Sequence, residues 1–230
     1  MKISVIIPTY NEARVISKTL TELQSRQSKQ SLLHEIIVVD GKSDDGTQDI
    51  VSTFDNMRCI TSQKSRPIQM NTGANRASGD ILYFLHADCL PPKDFDLYIS
   101  KAIGQNHLAG CFRMKFDHKH PWIRFISWLT KFKYRACRGG DQSLFVTKTL
   151  FNKVGGFDER YAIFEDHEIL GKLYQETRFL VIQKPLISSS RRFRDKGILK
   201  LQLLFWAIYF KKWLGATPEE LFRFYKKYIN

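Results

Sequence analysis

The sequence predicts an α/β fold with a mostly parallel central sheet, helices on both faces and a C-terminal helical segment. Three observations support this class. The strand-like segments are continuous apolar runs, which is typical of parallel strands buried on both faces. Helix-like segments separate these runs, and polar residues follow three of them directly, at the edge where such sheets bind ligands. The 230 residues suffice for one domain with a sizeable core.

The N-terminal part of the chain alternates between strand-like and helix-like segments. ISVII is a β-branched run stopped by Pro8, and NEARVISKTLTEL follows with Asn11 as a candidate N-cap and apolar residues at helical spacing. EIIVVD repeats the strand pattern, and GKSDDGT is a turn rich in capping residues before a second helix. A weaker strand, a third helix and a fourth strand follow, which are RCITS, RPIQMNTGANRA and DILYFLHAD.

The pattern changes after residue 107. LAGCFRMKFD predicts a longer strand in a mixed sheet, and PWIRFISWLTKFKYR carries apolar residues at helical spacing. SLFVTKTLFNKVGGFD predicts a strand, a short helix and a turn. Two amphipathic, lysine-rich helices separated by GATP are predicted from Ile198 to Asn230. We therefore divide the chain into a domain, residues 1–197, and C-terminal helices, residues 198–230, packed on that domain or at an interface.

Composition and charge narrow the class of protein. With 43% hydrophobic and 26% charged residues, the chain has the composition of a globular domain. The four cysteines lack zinc or disulfide spacing, which predicts reduced thiols and a cytoplasmic protein. No secretory signal is expected, and the longest apolar run, LQLLFWAIYF, is half of the roughly 20 residues that a membrane-spanning helix needs. The net charge of +13 implies an anionic partner, which composition alone does not identify.

Two aspartates follow apolar strands and are candidates for a ligand site. In a parallel sheet, Asp40 and Asp88 would lie at the same edge and near each other. One carboxylate could accept a hydrogen bond from a base or a ribose hydroxyl, and the other could bind a hard divalent cation. For either residue alone, turn chemistry at a strand end explains the aspartate equally well. No dinucleotide GxGxxG motif or P-loop is available as an alternative.

Three further polar groups are open to structural or functional interpretation. Glu165 and Asp166 fall near the first turn of a predicted helix, where acids complement the helix dipole without any catalysis. Arg191 and Arg192 follow a predicted strand, and their guanidinium groups suit a diphosphate, although a solvated pair is the default in so basic a chain. The segment GGDQ, residues 139–142, is compatible with a close ligand or with a simple turn.

The order of these motifs resembles a family 2 glycosyltransferase with the GT-A fold. The resemblance covers most of the chain and rests on VIIPTYNE, IIVVDGKSDDGT, RPIQMNTGANRASGDILYFLHAD, GGDQSLFVTKTLFNKVGGFDE, FEDHEI and SSSRRF. Within the family, the details QMNTGA, LHAD, GDQ and RRF resemble the arsenosugar-biosynthesis-type subgroup. The fold implied is the GT-A nucleotide-diphospho-sugar transferase fold.

The resemblance implies a metal-assisted, inverting transferase that moves a sugar from a nucleotide-diphosphate donor, expected to be a UDP-sugar, to the hydroxyl of an unidentified acceptor. Asp166 would be the general base, with Glu165 beside it. Asp88 would hold Mg²⁺ or Mn²⁺, with His86 as a further candidate ligand.

The resemblance also assigns binding roles to three sets of residues. Arg191 and Arg192 would neutralise the leaving diphosphate. The acceptor would meet Gly140, Asp141 and Gln142. The nucleotide would be contacted by Pro8, Thr9, Tyr10, Asn11, Glu12, Asp40, Arg66 and Asn71.

Two positions depart from the family pattern. His86 stands where the family commonly has the first acid of its DxD motif, which lowers the local negative charge and is expected to weaken or reshape the cation site. The tripeptide SRP at residues 65–67 replaces the GRA expected of the subgroup.

Two other functions are alternatives to this one. A membrane-surface glycosyltransferase acting on a lipid-phosphate acceptor is supported by the aromatic, basic segment 121–135 and by the tail. The same apolar faces are also explained by packing on the sheet or by a homo-oligomer interface, and we favour that explanation. A nucleic-acid-binding module would explain the charge, but the basic residues are spread along the chain without an RRM or KH signature, so no nucleic-acid partner is expected.

Overall fold

The structure, a computed structural model, describes residues 1–139 and 142–229 and is built on one eight-stranded sheet. The strand order is β3-β2-β1-β4-β7-β6-β8-β5. In chain order the strands are β1 (Ile3–Thr9), β2 (Leu33–Asp40), β3 (Met57–Thr61), β4 (Ile81–Phe84), β5 (Cys89–Leu90), β6 (Ala109–Phe116), β7 (Leu144–Thr147) and β8 (Leu180–Ser188).

Helices connect and cover these strands. In chain order they are α1 (Ala13–Ser25), α2 (Thr47–Ser52), α3 (Arg66–Arg76), α4 (Phe95–Gly104), α5 (Pro121–Leu129), α6 (Lys148–Lys153), α7 (Glu165–Glu176), α8 (Arg191–Lys196), α9 (Ile198–Trp213) and α10 (Pro218–Tyr228). Helix α4 was not among the predicted elements, although Phe95, Ile99 and Ala102 are buried at helical spacing. The helix predicted from Pro121 ends at Leu129.

The pairing of the strands confirms a mostly parallel sheet. Four of the seven pairings are parallel, and they include β1 with β2, β1 with β4, and β2 with β3. In this register Thr9 lies beside Asp40, so the carboxyl ends of β1 and β2 share one edge. The strand predicted to reach Asp88 ends earlier, at Phe84. A turn follows, closed by a hydrogen bond from the Cys89 amide to the His86 carbonyl oxygen at 3.0 Å.

Each face of the sheet buries its own apolar cluster, which explains why the strands are apolar without alternation. Val5 and Ile7 pack on one face with Leu20 of α1. Ile6 packs on the other face with Met70 of α3. Successive residues of a strand point to opposite faces, so a strand covered on both sides must be apolar throughout.

A third apolar cluster joins the tail to the rest of the chain. Leu201 and Ile208 of α9 and Leu221 of α10 pack with Met114 of β6 and Ile123 of α5. All four cysteines are free, as expected. Among the residues that the structure describes, no helix combines the length and apolar character needed to cross a membrane.

Candidate active site

A cavity of about 240 Å³ opens at the carboxyl edge of β1, beyond the turn that follows β4. Its walls come from the two ends of the chain. From the first half it takes Pro8, Thr9, Tyr10, Glu12, Arg66, Gln69, His86, Ala87 and Asp88. From the second half it takes Ser189, Arg191, Arg192, Phe193, Leu201, Phe205 and Tyr225.

The loop after β1 is fastened to the loop after β2. Asn11 has a φ of 55°, a left-handed conformation that asparagine tolerates better than most residues. Its side-chain amide donates to Asp44 Oδ1 at 2.8 Å, and its Oδ1 accepts from the Asp44 amide at 3.1 Å. The Glu12 amide donates to Thr47 Oγ1 at 3.0 Å. These bonds hold Tyr10 and Glu12 at the rim of the cavity.

Asp40 stabilises the loops after β1 and β2 by accepting hydrogen bonds from Thr9, the last residue of β1, and from residues that follow β2. Its carboxylate is fully buried and accepts four hydrogen bonds, two of them from Ser43, whose amide lies 2.8 Å from Oδ2. The others come from Gln48 Nε2 at 2.7 Å and Thr9 Oγ1 at 3.2 Å. Asp40 lies next to the cavity without lining it, and its oxygens are occupied by the chain itself.

Gln69 and Asn71, two residues apart on α3, have different surroundings. Gln69 is buried and lines the cavity, and its Nε2 donates to the carbonyl oxygens of Thr9 and Val39, both at 2.7 Å. The side chain of Asn71 bonds instead to the backbone of Phe157 and to Glu159. Gln69 was not predicted as a site residue, and its one signal in the sequence is its place in the QMNTGA motif.

A charged group occupies one side of the cavity. Arg191 donates to both carboxylate oxygens of Glu12, at 3.2 and 3.1 Å. Burial disfavours the charged guanidinium, but the carboxylates of Glu12 and Asp88 outweigh it and raise the pKa of Arg191. Arg191 is therefore a fixed positive charge between two acids.

The tail helices complete the opposite wall. Arg192 donates from its NH2 group to the Tyr225 hydroxyl at 2.7 Å, and its guanidinium lies 5.6 Å from the ring centre of Phe205. This contact fixes α8 against α9 and α10. The sequence did not predict a place in this wall for Leu201, Phe205 and Tyr225, because no local pattern tells which face of a tail helix meets the domain.

The acid pair of FEDHEI lies at the start of α7, after Phe164, whose φ of 71° is unfavourable for a bulky side chain. The buried Glu165 has its Oε1 3.7 Å from NH1 of Arg66, which lines the cavity. Asp166 lines a second, much smaller cavity that also contains Gln142. The predicted acceptor residues Gly140 and Asp141 lie outside the described residues.

His167 fastens this helix start to the tail. Burial, reinforced by the charge of Arg135, lowers the pKa of His167 to about 4, so the ring is neutral at pH 7. Its Nε2 lies 2.6 Å from the Tyr209 hydroxyl of α9, and its ring stacks on Phe164 at 4.9 Å between centres. The strained residue before the acid pair is thus covered by two aromatic side chains.

Comparison with known proteins identifies the family. The family model described as Glycosyl transferase family 2 matches residues 4–157, more than half of the chain. The chain belongs to this family. The dolichol-phosphate mannosyltransferase of Pyrococcus furiosus is 38% identical over 141 residues, covering 57% of this chain and 39% of that protein. The chain spans less than half the length of the curated relatives it matches.

Solved structures show the same fold. The S. aureus TarS 1–349 structure in complex with UDP-GlcNAc superposes with a TM-score of 0.65 at 21% identity, covering 83% of this chain and 59% of that one. The mannosyltransferase PcManGT from Pyrobaculum calidifontis, in complex with GDP-Man and Mn²⁺, gives 0.63 at 22% identity, covering 90% and 64%. This family 2 chain therefore has the GT-A fold.

A divalent cation fits the donor atoms that the cavity of this family 2 chain offers. Asp88 supplies carboxylate oxygens and His86 an imidazole nitrogen, and both line the cavity. Within residues 1–139 and 142–229, no group of three or more His, Cys, Asp or Glu side chains is arranged to hold a metal by itself. Mg²⁺ commonly takes one or two carboxylates and completes its shell with substrate phosphates and water. The donor set fits a cation shared between the protein and a diphosphate.

Proposed function

We propose that the protein transfers a sugar from a nucleoside-diphosphate donor to an acceptor hydroxyl, with inversion at the anomeric carbon. The observation that carries this proposal is the cavity at the carboxyl edge of β1, which gathers Asp88, Arg191 and Arg192 around one space in a family 2 chain. An acid that can share a cation and two arginines suit the charge that develops on a departing diphosphate.

The nucleoside and the diphosphate take different parts of the cavity. We assign the base and ribose to the loop of residues 8–12, with Arg66 at its rim. Asp40 contributes by holding this loop, and Asn71 by holding α3 against Phe157. We assign binding of the diphosphate to Arg191 and Arg192.

The cation site consists of Asp88 with His86. These residues would hold Mg²⁺ or Mn²⁺, which would supply Lewis-acid stabilisation of the leaving diphosphate. Asp88 contributes a negative charge that interacts with Arg191. His86 contributes an imidazole nitrogen in place of a second carboxylate.

Asp166 is the proposed general base, which removes the proton from the acceptor hydroxyl as it attacks. Asp166 lines a different cavity from Asp88, and we assign the two acids to opposite sides of the reacting carbon. Glu165, beside Asp166, is held near Arg66 and positions the start of α7. Gly140, Asp141 and Gln142 are assigned to the acceptor, and Gln142 shares the cavity of Asp166.

We infer a UDP-sugar as the donor, which the likeness to TarS, solved with UDP-GlcNAc, supports at the level of the fold. The GDP-Man complex of PcManGT makes a GDP-sugar the first competitor. The motifs QMNTGA, LHAD, GDQ and RRF support membership of the arsenosugar-biosynthesis-type subgroup. We propose a cytoplasmic location for the protein.

A lipid-phosphate acceptor is the second candidate. It is favoured by the relative named dolichol-phosphate mannosyltransferase and by the apolar wall that Leu201 and Phe205 add to the cavity. In this variant of the proposal, the same donor chemistry takes place at a membrane surface.

A thermal-shift panel tests the donor. UDP-, GDP-, dTDP- and ADP-sugars are compared with and without Mn²⁺, with the matching nucleoside monophosphates as controls. A ligand at a hundred times its Kd stabilises the folded state by about 2.7 kcal/mol. We expect one nucleoside-diphosphate sugar to raise the Tm more than the others, and more with Mn²⁺ than without it. Equal, metal-independent responses to all of them would contradict the proposal.

A further inference from the structure

Helix α9 is apolar on two faces, and one of them is mostly exposed. Leu201 and Ile208 are buried in the third cluster. The other face is a stripe with residues spaced alternately four and three apart, each more than half exposed, at Leu199, Leu203, Trp206, Phe210 and Trp213. Exposed apolar stripes of this length mark interaction surfaces.

The stripe continues onto α5 through a chain of ring contacts. Trp206 lies 6.0 Å from Trp122, and Trp122 lies 5.6 Å from Phe125. Phe125 stacks on Trp128 at 6.0 Å, and both are almost half exposed. We call the exposed rings of α5 and the stripe of α9 together the aromatic face.

The charge around the aromatic face has one sign. Residues 118–139 and 196–218, which contain α5, α9 and their flanking loops, hold ten lysines and arginines and no aspartate or glutamate. Lys131 places its ammonium 4.2 Å from the ring centre of Trp128. Of these ten, Arg138 is buried and Lys212 is paired with Glu168 at 3.7 Å, so eight remain to give the two segments a positive surface.

We propose that the aromatic face docks on the surface of an anionic lipid bilayer. Tryptophan rings favour the boundary between lipid and water, and lysines can extend their ammonium groups to anionic headgroups from there. A helix such as α9 would lie in the plane of that boundary, with its apolar stripe inserted. A second copy fits less well, because two such faces would bring together the positive charges of both copies, while the two segments themselves contain no acid to offset them.

Docking would also orient the cavity. Leu201 and Phe205, on the other side of α9, line it. A helix with its side chains is about 10–12 Å across, so the cavity would lie about one helix diameter from the lipid surface. This orientation rests on the proposed function and brings a lipid-borne acceptor within reach. The docking itself does not depend on any activity.

The test uses the full chain and vesicles of phosphatidylcholine, with or without 30% phosphatidylglycerol (roughly the charge of an anionic leaflet). All four tryptophans, Trp122, Trp128, Trp206 and Trp213, lie in α5 and α9, so intrinsic fluorescence reports directly on this face. We expect cosedimentation with the anionic vesicles, a blue shift of the emission and quenching by brominated lipid. Raising the salt concentration should weaken the binding.

A pair of double variants distinguishes the effect of the aromatic face on vesicle binding from the effect of net charge. Trp206→Glu with Trp213→Glu is expected to lower vesicle partitioning at least tenfold. Ser52→Glu with Asn56→Glu adds the same charge at exposed positions near the far edge of the sheet, and it should retain nearly all of the binding. Circular dichroism checks that each variant is folded.

Two results would overturn the proposal. One is wild-type protein that stays in solution with anionic vesicles. The other is a wild-type dimer in light scattering that the tryptophan variant converts to a monomer, without any lipid binding, which would identify the face as a seam between copies. Because neither readout needs a sugar donor, a failure here leaves the proposed transferase activity to its own test.

Discussion

Asp88 and Asp166 line different cavities, and an ion pair of Arg66 with Glu165 links residues next to each of them. Arg66 lines the larger cavity, and its guanidinium is 3.7 Å from Glu165, the neighbour of Asp166. In the proposed reaction one acid serves the leaving group and the other serves the attacking hydroxyl. Substitution of Asp166 should therefore change the rate of transfer, and substitution of Asp88 should change the metal dependence of donor binding.

Replacing Asp166 by asparagine should abolish transfer while leaving donor binding intact. The amide keeps the size of the side chain but cannot take a proton, and loss of a general base costs about 10²–10⁴ in kcat. Steady-state kinetics and donor titration measure the two effects. Glu168→Gln, on the same turn of α7, is the matched control and should stay near wild type. Near-normal turnover of Asp166→Asn would move the base to another group.

Replacing Asp88 by alanine should remove the metal dependence of donor binding. Without the carboxylate, Mn²⁺ loses its charged protein ligand, and we expect its effect on donor affinity to fall about tenfold or more. Calorimetric titration of the donor with and without Mn²⁺ measures this, and the metal-free affinity serves as the internal control. A variant that keeps the full Mn²⁺ effect would show that the cation binds elsewhere.

At the scale of single residues, the sequence predicted which edge of the sheet a residue lies at better than it predicted which residues it contacts. Thr9, Asp40 and Asp88 could be placed near one edge, because the ends of parallel strands coincide. Asp40 accepts hydrogen bonds from Ser43 and Gln48, and Asn71 bonds to Phe157. These contacts depend on how the turns and helices pack against each other in three dimensions. Such contacts join residues that no local pattern connects.

At the scale of elements, α3 owes its close approach to the sheet to a glycine. A methyl group at Gly73 would come within 2.4 Å of Ile6 and 3.0 Å of Val39. We expect Gly73→Ala to lower the free energy of unfolding by about 1–3 kcal/mol, through overpacking. Urea unfolding measures it. Gly104→Ala, near which the added methyl group meets nothing within 4 Å, should be neutral or stabilising.

The start of α7 should make stability depend on pH. The pKa of His167 is about 4 in the folded protein and near 6.5 when unfolded, so the unfolded chain binds an extra proton between these values. Stability should therefore fall as the pH is lowered from 6.5 to 4, by about 3 kcal/mol from this group.

His167→Gln removes the titrating ring and should flatten the slope of unfolding free energy against pH in that window. Urea unfolding at several pH values compares the variant with wild type. Parallel slopes would show that His167 does not carry the effect.

At the scale of the whole molecule, the tail should unfold together with the sheet. Leu201 is fully buried in the third cluster, whereas Leu199, on the same helix, is 68% exposed. We expect Leu201→Ala to cost about 2–4 kcal/mol and Leu199→Ala less than about 0.5 kcal/mol. Calorimetry should show one transition, shifted for Leu201→Ala. A separate transition of the tail would contradict this.

The sequence predicted the tail helices, but it did not predict that one apolar side of α9 is buried and the other exposed. Their spacing identified helices, and the helix boundaries confirm them. Which stripe of α9 packs on Met114 and which stays exposed depends on tertiary contacts, because both stripes are apolar. The divided use of this helix could be learned only from the structure.

The ion pair of Glu12 with Arg191 also indicates when the cavity can form during translation. Its partners are 179 residues apart, and Leu201, Phe205 and Tyr225 are made later still. Ribosomes add about 5–20 residues per second, so the first strands wait on the order of ten seconds for the missing wall. A chain still being translated therefore gains its complete ligand cavity only after Tyr225 has been added.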